Sequence, residues 1–291
     1  MTPEARRLAT QDVVRRGPMQ GARGPSRAVA ERHVPRKRFG QNFLADRSYI
    51  DRIIAAIDPR LGDRIVEIGP GLGALTVPLL ERVEHLTVIE IDRDLAARLV
   101  AQYPASRLTL HNADALEFDF SPLGPDLRVV GNLPYNISSP LLFHLAQYDA
   151  SVRDITVMLQ KEVVERMVAA PATPAYGRLS VMLQVRFRVE RLFGVPAGAF
   201  RPAPKVDSAV ARLTPLRAER PELADETLFA RVVAAAFGQR RKTLRNALKT
   251  LASEDQLERA GIDPAARGET LSVGDFVRLA DQVAVSPSSP P

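Results

Sequence analysis

The sequence contains no cysteine, and this absence excludes several kinds of chemistry. Without thiols the chain has no disulfides, no thiolate zinc site and no cysteine nucleophile. Histidine is also scarce, with four residues scattered along the chain, so we expect no metal centre. No apolar run approaches the roughly 18–20 residues of a membrane helix, and no N-terminal stretch is typical of a signal peptide. We therefore expect a globular, cytoplasmic protein.

The positive charge is concentrated near the N-terminus. Residues 1–38 hold ten Lys and Arg against three acidic residues, a net charge of +7, whereas the whole chain has a net charge of +6. The remaining 253 residues of the 291 therefore sum to −1. Because residues 1–37 lack sustained apolar periodicity, we predict a disordered basic arm there. This arm would either contact RNA or be an extension without a function of its own.

Strand and helix patterns alternate over the next stretch of chain. Residues 64–68 predict a buried strand, and a glycine-rich loop connects it to a helix over residues 74–80. Further strands are predicted at residues 86–91, 108–111 and 127–130, with a helix at residues 94–102. This alternation is typical of an open, mostly parallel α/β sheet.

In the second half of the sequence, a mixed pattern of strands and a helix gives way to a purely helical pattern. Its first part predicts strands at residues 155–159, 181–187 and 208–213 and a helix at residues 162–170. Beyond residue 219 every pattern is helical, at residues 228–237, 242–251, 254–260 and 276–283, the last with Ser272 and Asp275 as a capping box. We predict an α/β domain at residues 38–217, a small all-helical domain at residues 218–285 and a frayed tail at residues 286–291.

Polar or acidic residues follow four successive predicted strands, at the edge where open α/β sheets bind ligands. The first group is Glu67 with Gly69 and Gly71, whose glycines also fit the dinucleotide pattern G-x-G-x-x-G/A. Glu67 would repel a pyrophosphate, and Asp114 has no obvious dinucleotide role. S-adenosylmethionine fits better: the glycine loop and following helix N-terminus would hold its methionine part, Glu90 its ribose and Asp114 its adenine amine.

The fourth strand is followed by Asn132-Leu133-Pro134-Tyr135. Asn132 offers an acceptor, Pro134 turns neighbouring carbonyls outward, and Tyr135 offers a ring on which a base can stack, worth roughly 1–3 kcal/mol. For these four residues alone, a strand end followed by a proline turn is an equally good explanation.

The absence of cysteine also limits which methylation reactions are possible. Methylation at C5 of a pyrimidine generally needs a cysteine nucleophile, which this chain lacks. Methylation of an exocyclic amine needs only that the nitrogen lone pair be freed from conjugation and point in line with the sulfonium methyl. Hydrogen bonds from the N–H groups to Asn132 and to a backbone carbonyl would do this.

Several motifs, in order, resemble the ribosomal RNA adenine dimethyltransferase family. They are residues 39–44 (FGQNFL), 67–76 (EIGPGLGALT), 90–92, 114–115 and 132–138. Two further segments, residues 200–208 and 236–246, resemble the small-subunit branch of that family. The resemblance implies a Rossmann-like class I methyltransferase fold. It also implies the transfer of two methyl groups to each of two adjacent adenosines in the 3′-terminal hairpin loop of 16S rRNA, during late 30S assembly.

The resemblance also implies site residues. Those implied for the cofactor site are Asn42, Leu44, Gly69, Gly71, Glu90, Asp114 and Asn132. The catalytic residues would be Asn132, Leu133, Pro134 and Tyr135, with Tyr135 stacked on the target base. The cations Arg240, Arg241, Lys242 and Arg245 predict an RNA-phosphate contact, although a solvated helix face explains them too.

Two other functions stay open at this point. One is the related large-subunit rRNA adenine methylase that confers macrolide resistance, against which residues 200–208 and 240–246 argue. The other is a non-catalytic assembly factor that only binds immature small subunits. We expect a monomer that works on 16S rRNA or the immature 30S subunit, without a metal ion or a membrane.

Overall fold

The computed structural model describes residues 41–239 and 241–285. The predicted basic arm of residues 1–37, Arg240 and the predicted tail of residues 286–291 therefore lie outside the described residues. So do Phe39 and Gly40 of the first family motif.

In residues 41–239 and 241–285, nine strands form two sheets. Strands β1 (Phe43–Leu44) and β8 (Phe200–Arg201) pair antiparallel as a small separate sheet. The main sheet contains β2 (Arg64–Ile68), β3 (Leu86–Ile89), β4 (Leu108–His111), β5 (Leu127–Asn132), β6 (Val152–Gln160), β7 (Phe187–Val195) and β9 (Ser208–Pro215). Its order is β4-β3-β2-β5-β6-β9-β7, with β2 to β6 parallel and β7 and β9 antiparallel. The predicted mostly parallel sheet is confirmed.

In the part of the chain that the structure describes, six α-helices accompany the strands and four follow them. The first six are α1 (Arg47–Ile57), α2 (Thr76–Leu80), α3 (Arg93–Gln102), α4 (Ser138–Leu145), α5 (Lys161–Met167) and α6 (Arg178–Gln184). The last four are α7 (Glu226–Gly238), α8 (Leu244–Ala247), α9 (Glu254–Arg259) and α10 (Val273–Val285). The predicted capping box is confirmed, since Asp275 N–H donates to Ser272 Oγ and Ser272 N–H to Asp275 Oδ2.

Two sequence-based predictions of secondary structure are wrong. The strand predicted at residues 181–187 is occupied mainly by α6, whose buried Val181 and following Val185 lie one helical turn apart. A short apolar run fits helix and strand alike, so periodicity alone could not decide. The helix predicted at residues 242–251 shrinks to α8. Its start is set by tertiary bonds, because Leu244 N–H donates to Ala266 O and Arg245 N–H to Pro264 O.

The main sheet is covered on both faces. Side chains alternate along β2, so Ile65 packs in a cluster with α1 and α2, whereas Val66 packs in another cluster with α4 and α5. A third core joins Phe229 of α7 and Phe276 of α10 to Val181 of α6, and all described residues fall into one compact unit. The domain bounds at residues 38–217 and 218–285 stay a prediction.

Residues 41–239 and 241–285 lack two features that bear on partners. None of their helices is long and apolar enough to cross a membrane. Within the same ranges, no group of three or more His, Asp or Glu side chains could hold a metal ion.

Candidate active site

A cavity of about 330 Å³ opens at the carboxyl ends of β2, β3 and β5. The connection after β2 leads to β3 on one side, whereas the connection after the neighbouring β5 leads to β6 on the other. The cavity therefore lies at the switch point at which open α/β sheets bind ligands. The cavity is within the size range of small-molecule sites. Its lining includes every residue predicted for the cofactor and for catalysis, namely Asn42, Leu44, Gly69, Gly71, Glu90, Asp114, Asn132, Leu133, Pro134 and Tyr135.

The glycine loop after β2 forms one wall. Gly69 and Gly71 have φ angles of 66° and 57°, in the left-handed region that favours glycine. A Cβ atom on Gly71 would lie 3.1 Å from the Phe43 ring, so a side chain there would also crowd the strand β1. Helix α2 begins at Thr76, and Ala74 and the N-cap residue Leu75 also line the cavity, so the role predicted for the loop and the helix N-terminus stays a prediction.

Glu90 connects two parts of the wall. Its Oε2 accepts a hydrogen bond from Gly71 N–H at 3.2 Å, and its Oε1 accepts one from Asp92 N–H at 2.9 Å. Burial raises the pKa of Glu90 above its ordinary value. Asp92 in turn caps α3 and accepts from Gln41 Nε2 at 3.0 Å. These bonds hold the glycine loop, the end of β3 and the segment before β1 in fixed relation.

Glu67 is the most buried carboxyl group of the lining. Burial, with the nearby charge of Glu90, raises the pKa of Glu67 to about 8, although Thr76 Oγ1 donates to it at 2.7 Å. Glu67 therefore holds its proton more readily than an exposed carboxyl group does. This weakens the sequence argument that its charge would repel a pyrophosphate, so the choice of cofactor depends on the other residues.

Asn132 is the last residue of β5 and belongs to the strand, which continues two residues beyond its predicted end. Its Nδ2 donates to the backbone carbonyl of Asn42 at 3.0 Å, so Oδ1 is the amide's acceptor. The Pro134 carbonyl already accepts from Ile137 N–H and from Ser138 Oγ. Asn132 and its neighbours thus present an oriented acceptor at the cavity.

Tyr135 follows in the turn before α4 and is half-buried. Its Oη lies 2.6 Å from Oγ of Ser208, the first residue of β9. Residues 200–208 therefore reach the site from a distant part of the chain, and β8 within them pairs with β1. Sequence reasoning missed Ser208, Gln41 and Asp92 as site residues. Ser208 and Asp92 lie inside motifs that carry the family resemblance, which was the available signal.

The predicted RNA-binding cations lie elsewhere. Arg241, Lys242 and Arg245 are exposed around the start of α8 and do not line the cavity. Arg245 has a distant acidic neighbour, with 3.9 Å between its Nη1 and Oε1 of Glu254. The structure therefore separates a ligand cavity from an exposed basic segment, as two contacts with one large substrate would require.

Comparisons with known proteins agree with this arrangement. Residues 32–284 match the family described as ribosomal RNA adenine dimethylase. The chain is 63% identical over 252 residues to the ribosomal RNA small subunit methyltransferase A of Aromatoleum aromaticum, covering 87% of this chain and 95% of the relative. The corresponding protein of Thiobacillus denitrificans is 61% identical over 244 residues, covering 84% and 96%.

Two solved structures resemble the fold closely. A dimethyladenosine transferase from Plasmodium falciparum has a TM-score of 0.70 at 27% identity, over 81% of this chain and 95% of that one. The 23S rRNA methyltransferase ErmE has a TM-score of 0.63 at 30% identity, over 84% and 100%. The family match and the identity to curated relatives show that this chain belongs to the ribosomal RNA adenine dimethylase family.

Proposed function

We propose that this protein dimethylates the N6 amines of two adjacent adenosines in the 3′-terminal hairpin loop of 16S rRNA, late in assembly of the 30S subunit. The observation that carries the proposal is the oriented amide of Asn132, whose Nδ2 is held by Asn42 O at 3.0 Å while Oδ1 stays an acceptor at the cavity. The relatives named small subunit methyltransferase A support the choice of RNA.

The residues of the cavity fit S-adenosylmethionine, which when bound supplies an electrophilic methyl group. Gly69 and Gly71 line the cavity in a left-handed backbone conformation that their lack of a Cβ permits. In this proposal that backbone holds the methionine part, Glu90 the ribose hydroxyls and Asp114 the adenine amine. Asn42 and Leu44 close the site from the β1 side.

The target amine needs two acceptors. One N–H group donates to Asn132 Oδ1. The second donates to the carbonyl oxygen of Leu133, because the Pro134 carbonyl already accepts two hydrogen bonds within its own turn. These bonds turn the nitrogen lone pair out of conjugation and toward the methyl group. Tyr135 stacks on the base and holds it in this position.

The exposed cations Arg241, Lys242 and Arg245, with Arg240 beside them in sequence, contact phosphates of the rRNA in this proposal. The enzyme acts as a monomer, since one chain contains the whole cavity and the basic segment. Its location in the cytoplasm follows from its ribosomal substrate.

The main alternative is methylation of the large subunit. It is disfavoured because this chain is 30% identical to the 23S rRNA enzyme ErmE but 63% identical to a small-subunit enzyme. A pure assembly factor is disfavoured because it would need neither a cofactor-sized cavity nor the Asn132 amide.

The test is transfer of labelled methyl from S-adenosylmethionine to 30S subunits from a strain lacking this modification, with 50S subunits as the matched control. We expect label on 30S alone. Label on 50S alone would assign the protein to the large-subunit branch, and tight 30S binding without transfer would favour the assembly factor.

A further inference from the structure

The hydroxyl groups of Tyr135 and Ser208 lie 2.6 Å apart although 73 positions separate them in the chain. Tyr135 stands in a turn, half-buried and lining the cavity. Ser208 is fully buried, belongs to β9 and does not line the cavity. The hydrogen bond thus ties a ring on a turn to the central sheet.

The backbone around Ser208 is held firmly. Strand β9 lies between β6 and β7, and Ser208 pairs with Gln160 on one side and Val195 on the other. The preceding residue, Asp207, accepts at its carbonyl oxygen from Lys161 N–H at 3.0 Å and at Oδ1 from Ala197 N–H at 3.0 Å. Ser208 Oγ is therefore a rigid anchor, whereas turns are generally the more mobile parts of a protein.

The anchor acts on the position of the Tyr135 ring. A tyrosine hydroxyl lies on the axis through Cβ and Cγ, so a bond at the hydroxyl fixes the direction of that axis and with it the place of the ring. Stacking on a base depends on where the ring lies, and a ring already held in place needs less ordering when the base arrives. Burial raises the pKa of Tyr135, which keeps the hydroxyl protonated at neutral pH.

We propose that Ser208 is a positioning residue, which holds the Tyr135 ring in the position required to stack on the target adenine. This inference rests on the proposed function, because it assigns a role within the same reaction. Ser208 does not itself touch the base; it acts through Tyr135.

The test compares Ser208→Ala, Tyr135→Phe and the double variant in the full-length protein, with unmethylated 30S subunits and S-adenosylmethionine. Losing one hydrogen bond predicts a kcat about threefold to tenfold lower for either single variant. KM for S-adenosylmethionine should not change. The double variant should be no slower than the singles, because each removes the same bond.

Ser180→Ala is the matched control. Ser180 is equally buried, and its Oγ donates to Arg166 O at 2.5 Å and accepts from Gly177 N–H at 3.0 Å, but it does not line the cavity. Ser180→Ala should lower Tm, as Ser208→Ala should, but its kcat should equal that of the wild type. If Ser208→Ala does not fold, Tyr135→Phe gives the kcat result from the other partner of the bond.

A second readout reports the ring directly. With 3-fluorotyrosine at all five tyrosines, the fluorine signal of Tyr135 should shift and broaden in Ser208→Ala while the other four stay in place. A wild-type kcat in Ser208→Ala, losses that multiply in the double variant, or an equal kcat loss in Ser180→Ala would overturn the inference. Wild-type protein that transfers no methyl to 30S would instead contradict the proposed function itself.

Discussion

Asn132 Nδ2 lies 3.0 Å from the backbone carbonyl oxygen of Asn42, a hydrogen bond between residues 90 positions apart. It joins the end of β5, where the target base would bind, to the segment beside the glycine loop, where the cofactor would bind. The side-chain amide is therefore oriented before either ligand arrives. This preorganisation is the feature on which the proposed chemistry depends.

Asn132→Ala should remove both the acceptor for the target amine and the bond to Asn42. We expect kcat to fall by about 100-fold, the scale seen when a preorganised polar group is lost from an active site. Affinity for 30S should stay within about twofold of the wild type. Single-turnover methyl transfer and filter binding on the same preparation measure the two quantities. Wild-type turnover in this variant would contradict the mechanism.

Glu90→Ala should act mainly on the cofactor. It removes the acceptor proposed for the ribose hydroxyls and also frees the N–H groups of Gly71 and Asp92, which loosens the loop. Losing hydrogen bonds to a charged group predicts affinity for S-adenosylmethionine about 10- to 100-fold weaker. Isothermal titration calorimetry checks this, with RNA binding as the control. An unchanged cofactor affinity would remove Glu90 from the site.

The buried carboxyl of Glu67 predicts a pH-dependent stability. Burial raises its pKa to about 8, from an ordinary value of 4.5. Below pH 4.5 the folded and unfolded states both hold the proton, and the stabilising contribution is complete. As the pH rises toward 8 the unfolded state has released the proton and the folded state still holds it, so this contribution decreases and is lost above the folded pKa.

Tm measured from about pH 5 to about pH 9 checks this sign. We expect the wild type to lose stability across that range through Glu67, and Glu67→Gln to show a flatter dependence because its amide does not titrate. Parallel Tm curves for the two proteins would show that Glu67 does not titrate as proposed.

Arg241→Ala combined with Lys242→Ala should weaken RNA binding and reduce its salt dependence. Each lost phosphate contact reduces the slope of log affinity against log salt by about 1, so the pair should flatten it by about 2. The control removes two exposed cations, Arg60 and Arg64, beside the start of β2 at the opposite end of the strands from the cavity. An unchanged slope in the first variant would leave its cations as a solvated surface.

Local sequence patterns predicted much of the fold. The strand bounds at residues 64–68 and 108–111 match the structure. The first is a mostly apolar, buried run in the sheet interior, and the second alternates apolar and polar residues at the sheet edge. The pattern failed at residues 178–187, where an apolar run without clear periodicity became a helix followed by a strand. It failed again after Thr243, where contacts with residues 264–266 shape the chain.

The candidate site was predictable as a set of strand ends but not as a network. Polar residues after parallel strands meet at one edge of the sheet, and this places Glu90 and Asn132 at one cavity. The bonds from Asn132 to Asn42 and from Tyr135 to Ser208 join distant segments, which no local pattern encodes. The raised pKa of Glu67 depends on its burial, which the sequence does not reveal.

The most direct test of the proposed function is mass mapping of the rRNA after the wild-type protein has acted on unmodified 30S subunits with S-adenosylmethionine. Nuclease digestion would release the 3′-terminal hairpin fragment for analysis. The proposal predicts two adjacent adenosines in its loop, each carrying two methyl groups on N6, and their formation about 100-fold more slowly with Asn132→Ala. Methylation at any other position, or an unmodified loop after complete incubation, would contradict it.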